Sequence, residues 1–107
     1  MTTQVDFSNG YAIVSVEGRV DTTNYLDFEK SLTEVMDAGH KKIVIDCSGM
    51  NYISSSGLRV FLITHKRMLA AGGSLTLCSL QPGIAEIFEI SGLFSIFTMV
   101  PDRAALS

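Results

Sequence analysis

From Asp21 onward, short apolar runs rich in β-branched residues alternate with longer runs whose apolar residues recur at three and four. That order restricts the fold to an α/β domain: a mostly parallel sheet with helices packed on it. The later strand-like runs are 43–47, 75–78 and 94–100. The helix-like runs open after Asp21-Thr22-Thr23-Asn24, at Ser54-Ser55-Ser56 and at Pro82, all residues that start helices. Gly39, Gly72-Gly73 and Gly92 close them. In the first run Tyr25, Phe28, Leu32, Val35 and Met36 make one face. In the second, spanning 55–71, the spacing puts Leu58, Phe61, Leu62, His65 and Leu69 together and turns Arg59, Lys66 and Arg67 to water. The third carries Ile84, Ile87 and Phe88. A final helical turn over 101–107 brings the count to about four helices.

Upstream, 5–8 and 11–16 read as strands joined by Asn9-Gly10, a strong signal for a two-residue hairpin. Ile13-Val14-Ser15-Val16 is almost continuously apolar, as in a strand covered on both faces, and Gly18 is expected to end it. The reading is therefore one domain over residues 1–107, with five strands, an opening hairpin and a 47% hydrophobic composition sufficient for a core. It leaves the order of the strands open.

Composition removes several functions. A net charge of −3 argues against nucleic acid as a partner. No apolar run approaches the roughly 20 residues of a membrane span, so no direct membrane insertion is expected. Met1-Thr2-Thr3-Gln4 does not begin a secretory signal. Cys47 and Cys78 stand alone in strand-like runs, as small buried hydrophobes of a reducing compartment do, so the cytoplasm is expected.

Enzyme chemistry finds little support. A nucleophilic serine needs a base within hydrogen-bond reach. His65 follows Ser55 by ten residues, about 15 Å of helix, and His40 precedes the third strand, at the other end of the sheet. No phosphate loop, dinucleotide fingerprint or zinc spacing is present. Asp46 could suggest a phosphoacceptor receiver, but Asp6 and Glu17 do not supply the acidic pair that holds its metal. The protein is read as no enzyme, with no cofactor and no metal.

What remains is Ile53-Ser54-Ser55-Ser56-Gly57-Leu58, between the third strand and the second long helix. Amides at a helix start lack partners and the helix dipole is positive there. Serines at such a place serve as caps, and they equally suit phosphorylation. On chemistry alone Ser55 and Ser56 are equivalent acceptors.

Four stretches carry a resemblance that runs end to end: Glu17-Gly18-Arg19-Val20-Asp21; Ile43-Val44-Ile45-Asp46-Cys47-Ser48 leading into Tyr52-Ile53-Ser54-Ser55-Ser56-Gly57-Leu58-Arg59; Ala71-Gly72-Gly73 before Cys78; and Ile90-Ser91-Gly92-Leu93-Phe94. Together they resemble the STAS domain family of anti-sigma factor antagonists. The resemblance implies a switch. A serine at the start of the second long helix is phosphorylated by a partner that is both anti-sigma factor and serine kinase. The unmodified antagonist binds that partner and frees the sigma factor, and a metal-dependent serine phosphatase resets the switch. Residue by residue, Ser55 falls on the acceptor and Ser54 on the aspartate that often precedes it. Gly57 and Leu58 match directly, and Asp21 falls on the family's nearby acidic residue. The partner-binding set implied is Asp21, Ser54, Ser56, Gly57, Leu58 and Arg59, with Ser56 the alternative acceptor. Gly57 is expected to let a partner backbone approach closely. A STAS subunit of a lipid-transport or stressosome-like complex, acting by constitutive contacts, is the other reading.

Overall fold

A computed structural model describes residues 1–106. The chain runs β1 (Thr2–Ser8), β2 (Tyr11–Val20), α1 (Tyr25–Asp37), β3 (Lys42–Ile53), α2 (Ser55–Ala70), β4 (Ser74–Cys78), α3 (Pro82–Ile90) and β5 (Thr98–Val100). A 3-10 turn, Arg103–Ala105, follows. The strands lie in sequence order, β1-β2-β3-β4-β5. β1 pairs antiparallel with β2, and all other neighbours are parallel. The hairpin turn is the expected one: Asn9 and Gly10 both take positive φ, 52° and 83°, which matches the twist of the flanking strands.

Alternation along the central strands sorts the two faces of the sheet. Ala12, Val14 and Val16 of β2 and Ile43, Ile45 and Cys47 of β3 join Phe28, Leu32, Phe61, Met68, Ile84 and Phe88 of the helices in one core. All three α-helices therefore cover the same face. Phe61 sits at its centre, with ring centroids 5.3 Å from Phe28, 5.4 Å from Phe88 and 6.4 Å from Phe97. The opposite face carries a smaller cluster, Ile13, Val44 and Cys78, with Tyr11, Val100 and Leu106 against it. β2 is thus covered on both faces as its composition indicates, one face by helices and the other by the C-terminal turn.

That turn is fastened by charge. Arg103 Nε donates to Asp46 Oδ2 at 2.6 Å and its Nη2 to Ser15 Oγ at 2.7 Å, with Asp6 at 3.6 Å. Asp46 is only 6% exposed. Burial alone would raise its pKa, but the Ser48 amide and the Arg103 guanidinium outweigh burial and hold the carboxyl below the usual carboxylate range. A group depressed on folding adds stability above its unfolded value, about 3.9, and loses it as pH falls through the folded value. Arg103→Gln is expected to cost about 1–3 kcal/mol at pH 7, less than a fully buried pair because Arg103 is half exposed. Urea denaturation read at pH 7 and again well below the ordinary carboxylate range checks this: the gap between the two proteins should narrow as Asp46 is protonated, leaving the share of the Arg103–Ser15 hydrogen bond.

Several boundaries differ from the sequence reading. β2 continues through Gly18, where the register to β3 shifts, and β3 continues past Cys47 to Ile53. β5 contracts to Thr98–Val100, because the Leu93 and Phe94 amides turn back to the Phe88 carbonyl and Ile96 to Leu93. The last helical turn over 101–107 is the 3-10 turn, and Ser107 lies outside the described residues. In α2 the buried set is Gly57, Val60, Phe61, Thr64 and Met68, while Leu69 is 60% exposed. The buried stripe is thus rotated from the expected one, with Phe61 common to both. No helix among the described residues is long and apolar enough to cross a membrane.

Candidate functional site

The site begins where β3 ends. The Ser54 amide donates to the Val20 carbonyl at 2.9 Å, pinning the start of α2 to the end of β2. Ser54 is the helix cap: its backbone is extended (φ −88°, ψ 172°) and its hydroxyl accepts the Gly57 N–H at 3.2 Å. Ser55 and Ser56 are then the first two helical residues, Ser55 exposed and Ser56 half-buried. Since the cap belongs to Ser54, the Ser55 hydroxyl is not needed to start the helix. A serine at 54 also performs the capping of an aspartate without placing a carboxylate beside Ser55.

Gly57 has a role inside the fold. It is buried, and a Cβ there would lie 2.8 Å from Ile53 Cγ1 and 2.9 Å from Val20 Cγ1. The missing side chain faces the protein's own interior, and glycine lets the first turn of α2 sit directly on β2 and β3. Gly57→Ala is accordingly expected to cost about 1–3 kcal/mol, the usual range for overpacking, read as a lower urea midpoint. Gly83→Ala, where the added carbon meets nothing within 4 Å, is the control. Leu58 is half-buried and also packs on the core.

Around Ser55 the surface opens into a groove between α1 and α2 of about 520 Å³, lined by Tyr25 and Glu29 from α1 and by Ser55, Ser56, Arg59, Val60 and Ile63 from α2. The structure thus brings Ser55, Ser56 and Arg59 together, with Ser54 beneath them as the cap. Asp21 stands next to Val20 in the loop that Ser54 grips, but does not line the groove. Its carboxylate accepts the Thr23 hydroxyl at 2.6 Å and the Thr23 amide at 2.9 Å, with Arg19 at 3.6 Å. The Thr23 bonds, and behind them Arg19, hold Asp21 below the usual carboxylate range.

Tyr25, Glu29, Val60 and Ile63 complete the groove, and no motif in the sequence marks them as site residues. The available signal was the four-residue spacing of Tyr25 and Glu29, which places them on one side of α1. No histidine lines the groove. His65 rests against Phe97 with ring centroids 5.2 Å apart, and His40 against Phe7 at 5.0 Å. Both cysteines are buried, and burial pushes both thiols up, so they are protonated at neutral pH.

Fold and site together define a single α/β domain that presents serines at the mouth of its second helix. The family model of the STAS domain matches residues 2–106, and the chain belongs to that family. It is 38% identical over 105 residues to a Bordetella bronchiseptica protein provisionally described as the anti-sigma factor antagonist BtrV, covering 98% of this chain and 90% of that one. The crystal structure of a Thermotoga maritima protein, provisionally described as an anti-sigma factor antagonist, superposes with a TM-score of 0.89 at 18% identity, covering 95% of this chain and 88% of that one. Phosphorylated SpoIIAA, a cell fate determinant of Bacillus, superposes with a TM-score of 0.73 at 17% identity, covering 97% and 96%. These structural likenesses carry the fold.

Proposed function

We propose that this protein is an anti-sigma factor antagonist, a cytoplasmic binding module switched by phosphorylation of Ser55. Unmodified, it binds an anti-sigma factor that is also a serine kinase, and the sigma factor is released. The kinase moves the terminal phosphoryl group of ATP to Ser55 Oγ, releasing ADP and a proton. A serine phosphatase then hydrolyses the ester with water to restore Ser55 and inorganic phosphate. The module itself carries out neither reaction.

One observation carries this reading: an exposed serine at the first position of α2, with the capping bond made by its neighbour Ser54. Phosphate can be added there without dismantling the helix start. The dianion is favoured at a helix N-terminus by about 0.3–2 kcal/mol. At a partner interface the same group must shed water, which costs several kcal/mol unless cations meet it. The local fold therefore tolerates what the interface does not. The Bordetella bronchiseptica relative described as an anti-sigma factor antagonist, and the solved phosphorylated form of SpoIIAA, support the reading.

Phosphopeptide mapping of the protein from its native cells tests it. Phosphate is expected on the peptide containing Ser55, on that residue. Phosphate on Ser56 would keep the switch and move its site. None under several growth and stress conditions would overturn the switch in favour of a subunit held by constitutive contacts.

A further inference from the structure

Arg59 follows Ser55 by four residues in α2, so the two side chains are neighbours on one side of the helix. Both are exposed and both line the groove between α1 and α2. The sequence has four arginines, and three are in ion pairs: Arg19 with Asp21, Arg67 with Asp37, and Arg103 with Asp46 and Asp6. Among the described residues Arg59 has no carboxylate within 4.0 Å, although Glu29 lines the same groove. A planar guanidinium beside a modifiable hydroxyl, with no anion already on it, has the donor geometry that phosphate oxygens take in pairs.

We propose that Arg59 is the internal receptor for phosphate on Ser55. The order suits the pairing, since an anion four residues before a cation is the favoured arrangement on a helix. Modification then acts twice on the groove: it adds a dianion at position 55 and draws the cation at position 59 away from solvent and from any partner carboxylate. Arg59 is a positioning residue here, fixing the phosphate without reacting. This rests on the reading of Ser55 as the acceptor, and its test can fail separately from that reading.

Phosphoserine encoded genetically at position 55 gives the modified protein without a kinase. The 31P chemical shift followed between pH 4 and 8 reads the second ionisation of the phosphate, which lies near about 6 when unperturbed. With native Arg59 that midpoint is expected to lie lower than in Arg59→Gln, by about 0.3 unit or more. Arg59→Lys should fall between them. Lys66→Gln removes an exposed cation about 16 Å along the helix from Ser55 and should match the protein with native Arg59. Arg59 makes no ion pair among the described residues, so its variants are expected to remain folded, as circular dichroism would verify. Equal midpoints for the native and Arg59→Gln proteins, or an equal shift from Lys66→Gln, would overturn the proposal. Absence of phosphate on Ser55 in cells would instead strike the functional reading and leave this measurement standing.

Discussion

Phe61→Ala is expected to remove about 3–5 kcal/mol of folding stability, the range for deleting a buried aromatic side chain. Phe61 is fully buried and joins α2 to α1 through Phe28, and to α3 and the segment before β5 through Phe88 and Phe97. Its removal leaves a cavity bordered by all three helices, and no single neighbour can close it. Edge-to-face ring pairs add about 0.5–1.5 kcal/mol beyond area burial, so the upper half of the range is favoured. Domains of this size have about 5–15 kcal/mol in total, so the loss is a large fraction of the whole. Leu69→Ala is the matched control. The sequence spacing groups Leu69 with Phe61, but Leu69 is 60% exposed, and its truncation should stay within about 0.5 kcal/mol. Equilibrium urea unfolding at pH 7 reads both. Equal losses from the two variants would mean that α2 packs through the stripe expected from sequence.

The position of the buried stripe on α2 has a physical cause. Leu58, Val60, Phe61, Leu62, Ile63 and Leu69 put apolar side chains on most sides of α2, so periodicity alone does not select one. The choice is made by Gly57, whose backbone rests against Ile53 and Val20, and by Thr64, which is buried because its hydroxyl donates to the Val60 carbonyl at 2.8 Å. Element types and their order were legible throughout, because caps, glycine stops and β-branched runs are local signals. Strand lengths were not. Polar and glycine residues such as Ser48, Gly49 and Asn51 interrupt the apolar pattern of β3 while its hydrogen bonds to β2 continue across register shifts. Conversely, Phe94 and Ile96 resemble strand residues but lie in turns governed by Phe88 and Leu93. The same divide runs through the site. The serines and their helix mouth could be read from six consecutive residues. The groove could not, because Tyr25 and Glu29 belong to another helix. The Asp46–Arg103 pair spans 57 residues of chain and left no local trace.

Ser55→Asp is expected to weaken binding without weakening the fold, while Ser55→Ala alters neither, which separates a switch from damage to the fold. Ser55→Ala keeps the groove neutral at that point and leaves the Ser54 cap untouched. It should bind the anti-sigma factor within about threefold of the native affinity and, having no hydroxyl to modify, remain bound in the presence of ATP. Ser55→Asp places one negative charge where the phosphate would carry about −1.5 to −2. Desolvating that charge at an interface should cost about 2 kcal/mol or more even with Arg59 four residues on, because an exposed pair on a helix returns only about 0.2–0.5 kcal/mol, and this is roughly a thirtyfold loss of affinity. Yet an aspartate in the first turn of α2 interacts favourably with the helix dipole, by about 0.3–1 kcal/mol. The thermal midpoint of Ser55→Asp should therefore equal or exceed that of the native protein while its binding collapses. Calorimetric titration against the partner, beside thermal unfolding of the free variants, reads both quantities. Equal affinities for the alanine and aspartate variants would remove Ser55 from the switch. Weak binding accompanied by a lowered midpoint would mean that the charge acts through the fold, because a charge expelled only at the interface leaves the free domain as stable as before.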